Sequence, residues 1–248
     1  MSIEKVDHPK GFAFAIVAYL LWGFLPIYMK ALSHVPAAEV VAHRVIWSVP
    51  VAMIVLVALR RTSDLKNALR SKRVMGMALL TATLISVNWL TYVYAIATDR
   101  ALDAALGYYI NPLFSVFLGF ALLGEKLTQR QWIAIFLTLL AVAILTYEVG
   151  SLPWLSLILT ISWGFYALFK RSLPIGPNQG FLLEVLLLCP LAILYLSYLS
   201  AMGENHFVSI NVSTTLLLVG CGVVTAFPLI VYANGAKLLK LSTIAMLQ

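Results

Sequence analysis

Eight apolar runs of membrane-crossing length fill this chain, near residues 11–29, 38–59, 74–98, 105–123, 131–147, 152–169, 179–199 and 215–236. A helix needs about 20 mostly apolar residues to cross the hydrocarbon core, so eight of them use roughly 160 positions. With 248 residues in all, only short loops remain and no extramembrane domain can be fitted. A β-barrel would need segments of about ten residues that alternate apolar and polar. Stretches such as Trp132–Tyr147 are apolar on every face, which selects helices. Charge is scarce as well. The chain has 17 Lys and Arg and 10 Asp and Glu, 11% of the total, where a soluble domain carries about 25%. Such a chain cannot cover a water-facing surface, which excludes a soluble enzyme and a nucleic-acid-binding domain. The expected class is an all-α membrane protein with the lipid bilayer as its partner.

The distribution of the cations predicts orientation. With the N-terminus inside, the inner segments hold Lys5, Lys10, Arg60, Arg61, Lys66, Arg70, Lys72, Arg73, Lys126, Arg130, Lys170, Arg171, Lys237 and Lys240. The outer segments and their flanks hold Lys30, Arg44 and Arg100. Fourteen against three is the bias of a positive-inside protein, so the N-terminus is expected in the cytoplasm. The first run has no small-residue cleavage site after it and reads as an uncleaved span instead of a signal peptide. Cys189 and Cys221 both lie inside apolar runs. They have no metal-ligand spacing and read as packing residues, so neither a metal nor a disulfide is expected.

An internal repeat sets the domain organisation. Shifting the sequence by 141 positions lays Trp22-Gly23-Phe24 on Trp163-Gly164-Phe165, Lys30 on Arg171, Leu32 on Leu173 and Pro36 on Pro177. A shift of 138 lays Val93-Tyr94-Ala95 on Val231-Tyr232-Ala233. Matches in order, at nearly one offset, indicate two copies of a five-span unit. Because five is odd, the second copy enters from the opposite side, giving the inverted-topology repeat of many secondary transporters. The expected units are residues 1–148, a complete five-helix repeat, and 149–248, a second repeat lacking its last two helices. About eight complete helices of a ten-helix protein are then present.

The stretch Tyr19-Leu-Leu-Trp-Gly-Phe-Leu-Pro26 resembles the opening of RarD-type permeases, in the EamA branch of the drug/metabolite transporter superfamily. So do Ala42-His-Arg-Val-Ile-Trp-Ser48, Leu106-Gly-Tyr-Tyr-Ile-Asn-Pro112 and Leu123-Gly-Glu-Lys126. Gly150-Ser-Leu-Pro153, Leu182-Leu-Glu184 and Leu241-Ser-Thr243 extend the likeness into the second half. The resemblance implies a 5+5 inverted-repeat carrier of the bacterial inner membrane. It also implies a permease of a group linked by name to chloramphenicol sensitivity, with relatives that export amino acids or other metabolites.

Ionisable groups inside spans are the first candidate site residues, because burying charge in lipid is costly. Arg44, beside His43, has two open readings. It either reaches outer water, paired with Glu39, or stands at the mouth of a polar cavity to hold a substrate carboxylate or phosphate. Glu184 maps onto His43 under the 141 shift. The two are candidates for proton coupling, and His43 also for substrate binding, against a structural hydrogen bond as the alternative for Glu184. Asn88, Trp89 and Tyr92 share the third span, with Asn88 and Tyr92 four apart on one face. Tyr108, Tyr109 and Asn111 precede Pro112, which frees a carbonyl one turn back. These six, with Trp22, Trp163, Tyr166, Tyr232 and Asn234, are expected to line a substrate cavity, a packing kink being the other reading. Trp132 and Trp154, near span ends, read as interfacial anchors.

Gly119-Phe-Ala-Leu-Leu-Gly124-Glu-Lys126 approximates a Walker A loop. However, Glu125 displaces the Lys, no Ser or Thr follows, and the segment ends a span instead of a strand. It reads as the turn closing the fourth helix, and no nucleotide or other cofactor is expected. Asn211-Val-Ser213 matches a glycosylation sequon without expected consequence. The expected function is a secondary transporter of small metabolites, amino acids or amphiphilic drugs by alternating access. The alternative is an intramembrane lipid-modifying enzyme. That would need an acidic cluster, and the nearest approach is Asp99 and Asp103, which flank Arg100.

Overall fold

The computed structural model describes residues 7–60, 62–149 and 152–248. Lys5 and Arg61 of the charge count, and Gly150 and Ser151 of the motif set, lie outside the described residues. All regular structure among the described residues is helical. Two helices, α1 (Pro9–Gly23) and α2 (Leu25–Ala31), make up the first apolar run. The break falls at Phe24, because Pro26 in the first turn of α2 has no N–H to continue the ladder of α1. Next come α3 (Ala37–Ala58), the short polar α4 (Ser63–Arg70), α5 (Lys72–Ala97), α6 (Ala101–Leu123) and α7 (Gln129–Val149). The second half holds α8 (Trp154–Ser172), α9 (Pro177–Met202), α10 (Val212–Leu238) and α11 (Leu241–Met246).

Local sequence fixes the ends. Ser71 caps α5 by accepting from the Val74 amide at 3.4 Å, and Asn211 caps α10 by accepting from Thr214 at 2.7 Å. The sequon asparagine is thus engaged in a helix cap. Gly124 and Gly203 close α6 and α9 in the left-handed region, at φ 69° and 71°, where a side chain would be strained. The Walker-like stretch is accordingly the end of a helix and the turn after it.

Among the described residues, seven helical segments are long and apolar enough to cross a membrane, α1 and α2 together counting as one. Eight such spans were expected, and α8 is the difference. It carries Ser156, Thr160, Ser162, Lys170 and Arg171, which lower its mean hydropathy, yet it is the inner helix against which α5 and α6 pack. Two of its hydroxyls are turned onto the backbone of α6, while Ser162 donates within α8 and accepts from the Asn88 side chain at 3.0 Å. Ser156 donates to the Asp103 carbonyl at 2.6 Å and Thr160 to the Gly107 carbonyl at 2.9 Å. Interhelical bonds of this kind, with small residues that permit close approach, stand in for hydrophobic drive inside a membrane.

The helix ends gather on two rims. On the rim that carries the N-terminal end of α1, Asp7 binds the Lys240 amide and the Thr243 hydroxyl, and Glu125 binds Arg171. On the other, Lys30 pairs with Asp99, Glu39 with His206, and Arg100 lies over the Trp154 ring. Between the rims, α3 packs against α9 and α10, α10 against α1, and α8 against α5 and α6. At the α3–α10 crossing, a Cβ on Gly222 would collide with the Trp47 carbonyl, so only glycine lets these helices meet. The helix α7 packs mainly on α6, with Trp132 edge-on to Phe120.

Candidate functional site

Among the described residues, a cavity of about 340 Å³ lies in the half of the bundle toward the Lys30–Asp99 rim. Helices α1, α2, α3, α5, α6 and α8 supply its walls. It falls within the range of roughly 300–1,000 Å³ usual for small-ligand pockets. Aromatic rings dominate the lining, from Tyr19, Trp22, Trp89, Tyr92, Tyr108 and Trp163. Polar atoms come from Arg44, Asn88 and Gln248. An adjoining hollow shares Pro26, Ile96 and Ala101 with the cavity, and the Lys30–Asp99 ion pair stands in its wall.

Arg44 is 2% exposed. Its Nε donates to the Thr225 hydroxyl of α10 at 2.9 Å, and its guanidinium carbon sits 4.7 Å from the Trp89 ring centroid. Its Nη1 has no hydrogen-bond partner. The pairing with Glu39 considered from sequence does not form. Both Glu39 oxygens are taken by His206, through its backbone amide and ring nitrogen, each at 2.7 Å. Among the described residues, no carboxylate comes within ion-pair distance of Arg44.

An aromatic layer closes the cavity toward the other half. Trp22, Trp163 and Tyr232 meet at centroid distances of 5.1–5.4 Å, with Tyr19 and Tyr166 at its edges. Rings at this spacing prefer tilted and edge-on contacts, as here. Beyond the layer lies a fully buried ion pair. Lys170 Nζ donates to Glu184 Oε2 at 2.7 Å, the two side chains being 2% and 1% exposed. The Tyr166 hydroxyl stands 3.4 Å from the same oxygen, while Glu184 Oε1 has no partner. Lys170 also faces the rings of Tyr166 and Phe181.

The structure therefore brings Trp22, Arg44, Asn88, Trp89, Tyr92, Tyr108 and Trp163 to one cavity. Asn111 reaches its edge, donating to the Gln248 side chain at 3.0 Å. Tyr166 and Tyr232 belong to the aromatic layer, and Glu184 lies past it. His43 points away from the cavity toward Phe207. Trp47 Nε1 donates to His43 Nδ1 at 3.2 Å, so the neutral ring carries its proton on Nε2, which has no partner. Tyr109 is 81% exposed and takes no part in the cavity. Asn234 binds Asn178 at 2.8 Å, elsewhere in the bundle.

Sequence reasoning missed Tyr19, Thr225 and Lys170. Lys170 was counted as a loop cation, and the structure corrects this. A signal existed, because Trp163, Tyr166 and Lys170 follow the spacing of one helix face. Tyr19 and Trp22 are likewise three apart. Nothing in an apolar run marks Thr225 as the partner of an arginine. No three His, Cys, Asp or Glu side chains among the described residues gather as a metal site.

Comparison with known proteins bears on what this arrangement serves. Residues 9–147 match the EamA-like transporter family. An "Uncharacterized transporter" of Vibrio cholerae serotype O1 is 38% identical over 248 residues, covering all of this chain and 82% of that protein. "Protein RarD" of Escherichia coli K12 is 35% identical over 239 residues, or 96% of this chain and 81% of its own length. The "Uncharacterized transporter YojE" of Bacillus subtilis is 37% identical over 99% of this chain and 83% of its own. A crystal structure of 18% identity superposes with TM-score 0.66 over 95% of this chain and 81% of that one, a likeness of fold alone.

Proposed function

Because the chain belongs to the EamA-like transporter family, as a RarD-type permease, we propose that it is a secondary transporter working by alternating access about the Arg44 cavity. It is a multi-pass membrane protein of transporter kind. The proposal adds the bacterial inner membrane, a cytoplasmic N-terminus, and two inverted five-helix units meeting near residue 148. Its cargo is a small metabolite, an amino acid or an amphiphilic drug.

The carrying observation is the position of the aromatic layer. Trp22, Trp163 and Tyr232 separate a cavity on one side from a buried Lys170–Glu184 pair on the other. A carrier needs a site closed to one face at a time, lined by the groups that hold cargo. Trp22 and Trp163 are also the residues that the repeat pairs with each other. Tilting one unit against the other would part these rings and open the route toward Glu184. Glu184 is then the coupling group, exchanging a proton when Lys170 moves away, and His43 is the second candidate.

Uptake and efflux in proteoliposomes test this reading, screened over amino acids and amphiphilic drugs with and without a proton gradient. Saturable, gradient-driven accumulation is expected for the wild type. Glu184→Gln keeps shape but cannot titrate, so it should retain binding and lose accumulation. Normal accumulation in that variant would reduce Glu184 to a structural role. Reporter fusions should place Arg70 and Lys126 inside, and Arg100 and Glu204 outside.

A further inference from the structure

We infer that the cavity is built for a monoanion with an aromatic or apolar body, of the arylalkyl carboxylate type, and selects against zwitterions and cations. The inference rests on the reading of this cavity as the transport site and names its substrate class. Among the described lining residues, Arg44 is the one charged side chain, and a guanidinium stays protonated at any working pH. At the cavity's adjoining hollow, Lys30 and Asp99 cancel each other. Among the described side chains, the site therefore holds one net positive charge with no side-chain carboxylate against it.

Among the other described residues, buried charge is not left that way. Lys170 has Glu184, and Glu39 has His206. Arg44 instead has one neutral hydroxyl and one ring face, with Nη1 unbonded. An uncompensated cation inside a span is costly, and such residues mark ligand pathways. A bound carboxylate would remove that cost, and the guanidinium fork is shaped to take one. The rest of the wall is aromatic, from Trp22, Trp89, Tyr92, Tyr108 and Trp163, which suits a flat apolar body. An amino acid would bring an ammonium group into a cavity with no acid to receive it. A phosphate dianion would bring a second charge with no second cation.

Intrinsic tryptophan fluorescence tests this with the purified chain in lipid nanodiscs at neutral pH, since Trp22, Trp89 and Trp163 all line the cavity. The probes are 3-phenylpropionate, its uncharged amide, phenylalanine, phenethylamine and phenyl phosphate. The expected result is saturable quenching by 3-phenylpropionate, with at least tenfold tighter binding than any of the other four. Arg44→Gln should bring the acid down to the level of the amide, with the amide unchanged. Arg44→Lys should keep the preference at reduced affinity. Comparable binding of the amide, the amino acid, the amine or the phosphate overturns the charge class while leaving the cavity as a site. A preference for the acid that survives Arg44→Gln overturns the role of Arg44. Binding of none of the five overturns both this inference and the reading of the cavity beneath it. The wild-type series needs no variant, so a folding defect in Arg44→Gln cannot mask the outcome.

Discussion

The two halves of the bundle bury charge in opposite ways. Toward the Lys30–Asp99 rim, Arg44 lines a cavity with no acidic side chain among its described residues. Past the aromatic layer, Lys170 and Glu184 neutralise each other at 2.7 Å with no cavity between them. The Lys170–Glu184 pair is neutral within the protein, although Glu184 Oε1 has no hydrogen-bond partner, whereas Arg44 has no counter-charge among the described residues. Charge satisfied internally stabilises one arrangement of helices, and charge left over invites a ligand. A carrier needs both, a lock that holds one state and a site whose occupancy changes the balance of states.

The largest expected effect comes from breaking the satisfied pair. Lys170→Met leaves Glu184 buried alone, and removal of one partner of a buried pair costs about 3–5 kcal/mol. Unfolding by SDS titration of the purified protein should show a loss of that size. Replacing both, with Lys170→Met and Glu184→Met, should recover most of it, because apolar substitutes of similar volume are often neutral or stabilising. Arg44→Gln should behave in the opposite sense, unfolding at or above the wild-type midpoint while losing ligand. If Arg44→Gln destabilises as much as Lys170→Met, Arg44 is a structural group and the contrast between the halves collapses.

This contrast was only half legible in the sequence. Arg44 and Glu184 stood out because charge in an apolar run is rare, and Trp22 and Trp163 because the repeat aligned them. Lys170 was hidden by its neighbour Arg171. Two cations side by side read as the end of a span, and only the helical phase turns one inward and the other to Glu125. Adjacent tyrosines posed the same difficulty, since Tyr108 enters the cavity and Tyr109 faces outward. The long helices themselves were readable from hydropathy, α8 among them as the run at 152–169, whereas the short polar α4 was not. Distant partners such as Thr225 for Arg44, or His206 for Glu39, depend on tertiary packing that no local pattern encodes.

A third ionic site, on the rim, sharpens the comparison because hydrogen bonds decide it. Glu125 follows the glycine that ends α6. It accepts from Arg171, from the Leu241 and Ser242 amides, and from the Ser242 hydroxyl at 2.6 Å. Burial alone would push this carboxyl up, but the hydrogen bonds from Ser242, Arg171 and the two amides together hold it below its ordinary value of 4.5. A lowered folded pKa means the stabilisation is full above that ordinary value and is lost as pH falls through the lowered one. Wild-type stability should therefore drop on acidification below about pH 4.5. Glu125→Gln should be less stable at pH 7, by about 1.5–3 kcal/mol, with a flatter profile through the acid window. An unchanged acid profile in the variant would remove Glu125 as the link between α6, α8 and α11.

Between the two halves, Gly222 lets α10 approach α3 where Thr225 reaches Arg44 one turn on. Gly222→Ala drives a Cβ onto the Trp47 carbonyl, and overpacking of this kind costs about 1–3 kcal/mol. Because Arg44 depends on that crossing for its Thr225 contact, acid binding should weaken along with stability. Weakened stability with unaltered binding would show that Thr225 does not position the guanidinium.

The smallest effect concerns Tyr108 and Tyr109, which share one helix and point in different directions. Tyr108 lines the cavity and meets Tyr92 edge-on at 5.9 Å. Tyr109 is 81% exposed. Both were expected from sequence to bind substrate, and Tyr109→Leu separates them. An exposed apolar exchange away from caps and buried polar groups stays within about 0.5 kcal/mol, so the unfolding midpoint should not move. Binding of 3-phenylpropionate should not move either, because the ring has no path to the cavity through the α6 backbone. Tyr108→Leu, in contrast, removes one aromatic wall and should weaken binding by about 0.5–1.5 kcal/mol beyond its lost area. If Tyr109→Leu instead impairs binding as strongly as Tyr108→Leu, α6 must turn about its axis during transport. The cavity seen here would then be one of two that this helix can line.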